Sequence, residues 1–364
     1  MLVGVLKKKI LIAERFVGKN ITLPILTNVL FEVKGQVLRI VATNLEMACD
    51  LIIHIKGGKD GTVAFPAQSL SSSIQSYPTE SKILLEGKGG TLTVEVDTAR
   101  SKIRITESKD FPLLPKIEGV KNIIFPVYEF QEALRKVLPA ASTAQLKPEL
   151  NGVFVSWNKG EGMIVCTATD TFRLAEKKIS VKKGKSDSFS FILPLRFAQE
   201  IQRFETDLEE GECILGETQV KFRFGDDQLI SNLTPGTFPQ YQSIIPKHFD
   251  VHIETEAEKL TDAVRSTSFF SSKLQDILIR CNEKNTLEVH SENSEIGETT
   301  VSLPAAIDGK PFTVSFNHRF FLDGISALSG KKATILLTNE SSPALIRDGT
   351  DPSFVYLVMP IKGV

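Results

Sequence analysis

The sequence has little of what usually reveals chemistry or compartment. Its four cysteines, Cys49, Cys166, Cys213 and Cys281, are scattered and include no CxxC pair. That argues against a disulfide framework and predicts free buried thiols in a reducing cytoplasm. The five histidines, His54, His248, His252, His290 and His318, lack zinc-ligand spacing. His248 and His252 are four apart, but their surroundings read as extended, so neither metal nor cofactor is expected. No apolar run approaches the ~18 residues of a membrane helix. Met1 to Leu6 is apolar but runs straight into Lys7-Lys8-Lys9, the reverse of a signal peptide. A cytoplasmic protein without membrane contact is expected. There is no phosphate-cradling Gly-x-x-x-x-Gly-Lys-Ser/Thr run and no Gly-x-Ser-x-Gly elbow. Gly57-Gly58-Lys59 and Gly87-Lys88-Gly89-Gly90 read as hairpin turns. Asp170 reads as a turn former rather than a catalytic acid. The acidic pairs Glu209-Glu210 and Asp226-Asp227 read as solvated turns. Nothing here predicts an enzyme.

What is present is a repeat. The stretch from Pro148 to Ala175 reads as strand, glycine turn, strand and polar turn. It recurs at Pro24 to Ala48 and, more weakly, from Leu274. Asn28, Asn151 and Asp276 are taken as equivalent positions, which gives a period of about 124 residues. That is domain-sized and too long for a solenoid. The 364 residues, 41% of them hydrophobic, thus divide into three similar α+β domains at 1–119, 120–247 and 248–364. Each offers two helices on short, mostly antiparallel strands. The helices are expected at Leu6 to Phe16, Ala67 to Tyr77, from Phe125-Pro126, from Leu193-Pro194, at Glu256 to Ser268, and from an Asn317 cap to Gly330. Val127, Phe130, Leu134 and Val137 share one face, with Arg135 and Lys136 on the other. Phe197, Ile201 and Phe204 face inward, with Arg196 and Arg203 outward.

The net charge of −1 hides a gradient: +4 over 1–119, zero over 120–247 and −5 over 248–364. A basic first domain suits contact with the acidic third domain of another copy, head to tail, closing into a ring. Lys- and Arg-bearing helix faces around a central hole would hold a polyanion through its phosphates, without reading sequence.

The residues then match a known family. TLPILTNVLFEV (22–33), ATNLEMA (42–48), DFPLLPK (110–116), LNGVFV (150–155), ATDTFRLA (168–175), FPQYQSIIPK (238–247), FNHRFFLD (316–323) and YLVMPIKGV (356–364) occur in one order. Over its whole length the chain resembles the bacterial DNA polymerase III β subunits, the sliding clamps. The resemblance implies the DNA clamp fold, a ring-forming head-to-tail homodimer around double-stranded DNA, and no enzymatic activity. The implied partners are the polymerase III catalytic subunit, the clamp loader, and other polymerases and repair proteins with clamp-binding peptides.

Carried over by motif, the partner-peptide pocket comprises Leu150, Thr169, Thr171, Phe172, Arg173, Leu174, Pro239, Ser243, Ile244, Asn317, Phe320, Pro343, Val358, Met359, Pro360 and Ile361. It suits an extended peptide with Leu and Phe anchors. The resemblance pairs Ile103 and Ile105 with Phe269 and Phe270 across the dimer seam. Lys19, Asn20, Lys147 and Arg196 are the DNA-contact candidates. The sequence departs from the family at four places, one being a shorter segment before TLPIL, where Asn20 stands at the family's channel arginine. Thr171 stands where glycine is usual, and Ser243 where a basic or polar residue is usual. The ending is Lys362-Gly363-Val364 instead of Arg-Leu. Two other readings stay open: a ring-shaped protein scaffold that does not bind DNA, and an enzyme with a site assembled across subunits.

Overall fold

The computed structural model describes residues 1–18, 23–115, 117, 121–144, 146–181, 186–281 and 285–362. The repeat shows first in the helices. These are α1 (Val3–Phe16) and α2 (Ala67–Ile74), α3 (Val127–Val137) and α4 (Leu195–Gln202), and α5 (Ala257–Ser268) and α6 (His318–Ser326). A helix start leaves amides that need acceptors. Val3, Val127 and Ala257 donate theirs to the carbonyls of Ser81, Glu209 and Lys331, at 2.9, 2.9 and 2.8 Å. These three carbonyls come from residues entering later strands. Such main-chain capping has no sequence signature, and α1 begins three residues before the expected Leu6. At α6, Asn317 caps with its side chain, accepting from Arg319 N at 3.0 Å and Phe320 N at 3.3 Å. α6 stops at Ser326 and not at Gly330, because the Asp348 carboxylate takes the amides of Ser329 and Gly330. α2 likewise stops at Ile74, short of Tyr77.

Main-chain packing forms two compact units. The first is built mainly on Met1–Tyr128 and Arg203–Leu233. Its eight-stranded sheet runs Gly61–Pro66, Asn28–Lys34, Val37–Thr43, Met47–His54, Asp227–Asn232, Gln219–Phe224, Glu210–Leu215 and Lys121–Pro126. A three-stranded sheet, Ile83–Lys88, Thr91–Val96 and Ala99–Arg104, completes it. The second unit is built on Glu129–Lys182, Ser188–Gln202 and Thr234–Val364. Its nine-stranded sheet runs Phe189–Pro194, Gly152–Asn158, Met163–Thr169, Arg173–Ser180, Phe354–Val358, Ala344–Arg347, Lys332–Leu337, Val251–Glu256 and Ala306–Asp308. Its four-stranded sheet runs Gly297–Pro304, Thr286–Asn293, Asp276–Cys281 and Phe312–Asn317. The middle third of the sequence contributes to both units because its strands are divided between their sheets. Among the described residues no helix is long and apolar enough to cross a membrane.

Register corrects one repeat position. Asn28 lies opposite Pro66, Gly152 opposite Pro194 and Asp276 opposite Asn317, each partner being the last residue before a helix. Gly152, and not Asn151, is therefore the counterpart of Asn28, and the three positions stand 124 residues apart in both intervals. A Cβ on Gly152 would lie 2.3 Å from the Leu193 carbonyl oxygen, so glycine is required there.

The helices bury apolar faces, Leu6, Ile10 and Ala13 on α1 and, as expected, Phe197 and Ile201 on α4. Each Leu, Ile or Phe side chain so buried contributes about 1.5–3 kcal/mol. All four cysteines are buried and none forms a disulfide, and burial pushes the Cys166 thiol up to about 12.

Two lysines do not lie where helix periodicity assigns them. Lys9 of α1 pairs with Asp227, whose carboxylate also accepts the Ile52 amide at 3.0 Å. Lys136 of α3 is fully buried, contrary to the polar-face expectation. Its Nζ donates to Ser329 Oγ at 2.8 Å and Asp351 Oδ2 at 2.7 Å, and lies 5.0 Å from the centre of the Phe354 ring. Lys177 donates to the same carboxylate at 2.6 Å. A buried ammonium requires such partners.

Burial opposes the Asp351 charge, but donors from Lys136, Lys177 and Ser353 outweigh it and hold the carboxyl well below the usual range. A depressed carboxylate stabilises the fold fully above its unfolded pKa of ~4 and loses that contribution as pH falls through the native value. Asp351→Asn is expected to cost about 3 kcal/mol at pH 7, since it strands a buried cation. Thermal melts of both proteins should converge as pH drops below ~4.

Candidate functional site

The candidate pocket starts from one tight turn, Thr169 to Leu174. Thr169 Oγ1 donates to Arg173 O at 2.6 Å and accepts the Thr171 amide at 3.2 Å. Asp170 Oδ1 accepts the amides of Phe172 and Arg173 at 2.9 and 3.0 Å, the turn-forming role its sequence context suggests. The first unit holds the same turn. Thr43 Oγ1 bonds Met47 O and the Leu45 amide, and Asn44 Oδ1 accepts from Glu46 N and Met47 N. Leu45 and Thr171 occupy the same left-handed backbone position, with φ of 74° and 80°.

The neighbouring strand repeats as well. Met359 N donates to Phe172 O at 2.8 Å, as Asn232 N donates to Glu46 O at 2.8 Å. What differs is the side chains. The second unit carries Phe172 and Arg173 where the first carries Glu46 and Met47. Arg173 Nε bonds Asp170 Oδ2 at 2.9 Å, its Nη1 reaches Asp323, and its guanidinium lies 4.2 Å from the centre of the Phe320 ring. Burial works against the Arg173 charge, but Tyr356 and Asp170 more than compensate and raise its pKa. Phe172 is 61% exposed, and its ring stacks towards Phe320 with centroids 6.4 Å apart. The result is an exposed Phe172 beside a half-buried Phe320 and a guanidinium held by two carboxylates.

The same unit holds a core cluster of Leu150, Leu174, Ile192, Phe238, Tyr241, Leu336, Leu345 and Leu357. Val358 pairs with Arg173 across the sheet and is fully buried, as is Pro360. Ile361 N bonds Ser315 O at 2.8 Å, which fixes the last described turn of chain beside Asn317. Pro343, Met359 and Ile361 are half-buried, whereas Pro239, Ser243 and Ile244 are exposed.

Sequence reasoning missed the residues that hold this arrangement. Tyr241 OH donates to Glu176 Oε2 at 2.5 Å and accepts from Thr167 Oγ1 at 2.9 Å, anchoring the segment that carries Pro239 to Ile244. Tyr356 OH donates to Phe320 O at 2.8 Å. Gly324 lets α6 lie on the Tyr356 ring, since a Cβ there would come within 2.5 Å of Cδ1. The tyrosines stand in quoted motifs, but only the long-range pairing reveals their partners.

The other candidates are dispersed. Lys147 and Arg196 are exposed, and Lys19 and Asn20 lie outside the described residues. Ile103 is 8% exposed on the Ala99–Arg104 strand, and Ile105 just beyond it is half-buried. Phe269 is 69% exposed at the end of α5, with Phe270 packed edge-on at 5.2 Å. His290, Glu292 and Glu298 bring ligand atoms within 4.8 Å of one another on exposed strands, and His290 Nδ1 is hydrogen-bonded to Thr300 Oγ1.

Comparison with known proteins covers nearly the whole chain. Family models of the DNA polymerase III beta subunit match in order: its N-terminal domain at 4–115, central domain at 125–240 and C-terminal domain at 242–362. The chain is 27% identical to the beta sliding clamp of Synechocystis sp., over 96% of this chain and 95% of that protein. It is 23% identical to that of Bacillus subtilis, over 95% and 94%. In fold it is similar to the DNA polymerase III beta subunit of Pseudomonas aeruginosa bound to griselimycin, with a TM-score of 0.94 at 23% identity over 100% and 98% of the chains. The Thermotoga maritima beta subunit gives 0.92 at 22% identity, over 100% and 99%.

The turn yields a prediction about strain. A β-branched residue at φ 80° is disfavoured. Thr171→Gly is expected to raise stability by about 1 kcal/mol, read as an increase in melting temperature. An unchanged or lower melting temperature would mean that the Thr171 side chain compensates for its backbone.

Proposed function

The chain belongs to the DNA polymerase III beta-subunit family, the beta sliding clamps, and is a non-catalytic processivity factor of that class. On this premise we propose that two copies close head to tail into a ring around duplex DNA. The ring tethers the polymerase catalytic subunit through the pocket at Phe172 and Phe320. The clamp loader and repair proteins with similar peptides would share that pocket, in the cytoplasm. Domain boundaries at 119/120 and 247/248 belong to the same proposal.

The observation that carries the ring is a seam repeated twice in the chain. The Met47–His54 strand pairs with Asp227–Asn232, Cys49 opposite Leu229. The Arg173–Ser180 strand pairs with Phe354–Val358, Ala175 opposite Tyr356. Counted from the neighbouring strands of each repeat, Cys49 and Ala175 are one position, and Leu229 and Tyr356 another. The corresponding strands left over are Gly297–Pro304 and Ala99–Arg104, and both are sheet edges. An uncovered edge invites pairing. Carrying the register across puts Ser101 of a second copy opposite Thr299, Lys102 opposite Glu298, and Ile103 opposite Gly297. Gly297 neighbours Phe270, which brings Ile103 and Ile105 towards Phe269 and Phe270. Two copies satisfy both edges, and the +4 and −5 end thirds attract in that orientation.

DNA contact follows from the exposed cations, Lys147 and Arg196, together with Lys19 and Asn20. Contacts to phosphate alone suit a ring that must slide.

Two measurements test this reading. A labelled peptide with the Gln-Leu-x-Leu-Phe pattern should bind saturably in fluorescence anisotropy, and a chain ending at Val358 should lose that binding. Binding that survives the truncation would move the site elsewhere. Lys147→Ala should weaken DNA binding and flatten its log–log salt slope by about one unit. An unchanged slope would remove Lys147 from the interface.

A further inference from the structure

At both internal seams, the corner between the first helix of a repeat and its edge strand holds a carboxylate from the next repeat. Counted from the shared helix start, Lys9, Ala133 and Ala263 occupy one position, and Ile12, Lys136 and Ser266 another. On the edge strands, Ile52, Lys178 and Ser302 correspond. At the first corner, Asp227 accepts from Lys9 and from the Ile52 amide. At the second, Asp351 accepts from Lys136 and Lys177, while the Lys178 amide donates to Ser353 O at 2.9 Å.

The third corner is open. A groove of 420 Å³ lies between α5 and the Gly297–Pro304 strand, lined by Lys259, Asp262, Ala263, Ser266 and residues 301–304. The small side chains at 263 and 266 leave the space that Lys9 and Lys136 fill at the other two. The groove keeps a cation in Lys259 with an acid beside it in Asp262, much as Glu132 lies 3.5 Å from Lys136.

We propose that this groove receives the Asp97-Thr98 turn of a second copy, with the Asp97 carboxylate paired to Lys259. The inference rests on the head-to-tail reading above and specifies what fills its corner. In the transferred register, Ala99 of the second copy faces Val301, so the turn ahead of it reaches the groove. Asp227 stands at the position of Ala99 itself, and Asp351 stands three residues before the corresponding Phe354. Asp97, two residues before Ala99, falls within that span. It is exposed at the tip of a two-residue hairpin, at φ 50°, and is steadied by Ser81 Oγ at 3.1 Å. Lys259 is exposed and bonds Glu256 at 2.8 Å, a surface pair weak enough to exchange. The pair runs counter to the net charge of the two thirds, an acid on the basic first third and a base on the acidic last third, so the attraction it supplies is local to the groove.

Sedimentation equilibrium on the full chain tests the pairing by charge reversal. Asp97→Lys and Lys259→Asp should each raise the dimer dissociation constant about tenfold, and the double variant should return it to within about threefold of the parent. A dimer indifferent to both single changes, or not restored by the double, would overturn the groove assignment alone. A parent chain that stays monomeric at every concentration would overturn the head-to-tail reading with it.

Discussion

Every edge strand of a sheet carries backbone N–H and C=O groups that need partners, and this chain meets that need twice in one way. The third strand of a repeat accepts the last strand of the next repeat, in the same register at Cys49–Leu229 and Ala175–Tyr356. The sheets therefore run through repeat boundaries, and the middle third is shared between two compact units. A repeat built this way leaves one donor edge and one acceptor edge over. In the proposed ring a second copy would resolve both without any new type of contact.

The candidate pocket grows out of the same seam. Pairing of Arg173 with Val358 brings the Thr169–Leu174 turn beside Met359, and the first seam makes the matching contact between Glu46 and Asn232. Backbone geometry is thus common to both, and the two seams differ in their side chains. Phe172 is exposed, while the Arg173 guanidinium is fixed between two carboxylates and the half-buried Phe320 ring. The buried Asp351 cluster holds the strand that enters this pocket, since Lys177 lies opposite Phe354 and Lys178 bonds Ser353. Its energetic role is that of a pin: costly to break and needed to fix one arrangement.

Much of this was legible in the sequence, because the signals were local. The triplication, the six helices, the Asn317 cap and the turn-forming Asp170 all follow from spacing and residue type. The contiguous parts of the candidate pocket, 169–174 and 358–361, came from motifs of the family resemblance. Features set by distant partners were not. Lys136 follows Arg135 in the helix and reads as polar surface until the seam buries it. The start of α1 depends on the Ser81 carbonyl, and Asn151 looked equivalent to Asn28 until strand pairing shifted the match to Gly152. Tyr241, Tyr356 and Asp323 support the pocket through contacts that span 36 to 150 residues.

The claim on which the rest depends is that a second copy repeats the internal seam, in register. Engineered cysteines test it most directly, because a disulfide needs Cα atoms within about 4.4–6.8 Å and so reports register. The native thiols are buried and leave the background low. Ser101→Cys with Thr299→Cys should oxidise to a covalent dimer of twice the chain mass, seen by denaturing mass measurement without reductant. Failure of that pair, with efficient cross-linking of Ser101→Cys to Val301→Cys or Gly297→Cys instead, would contradict the account.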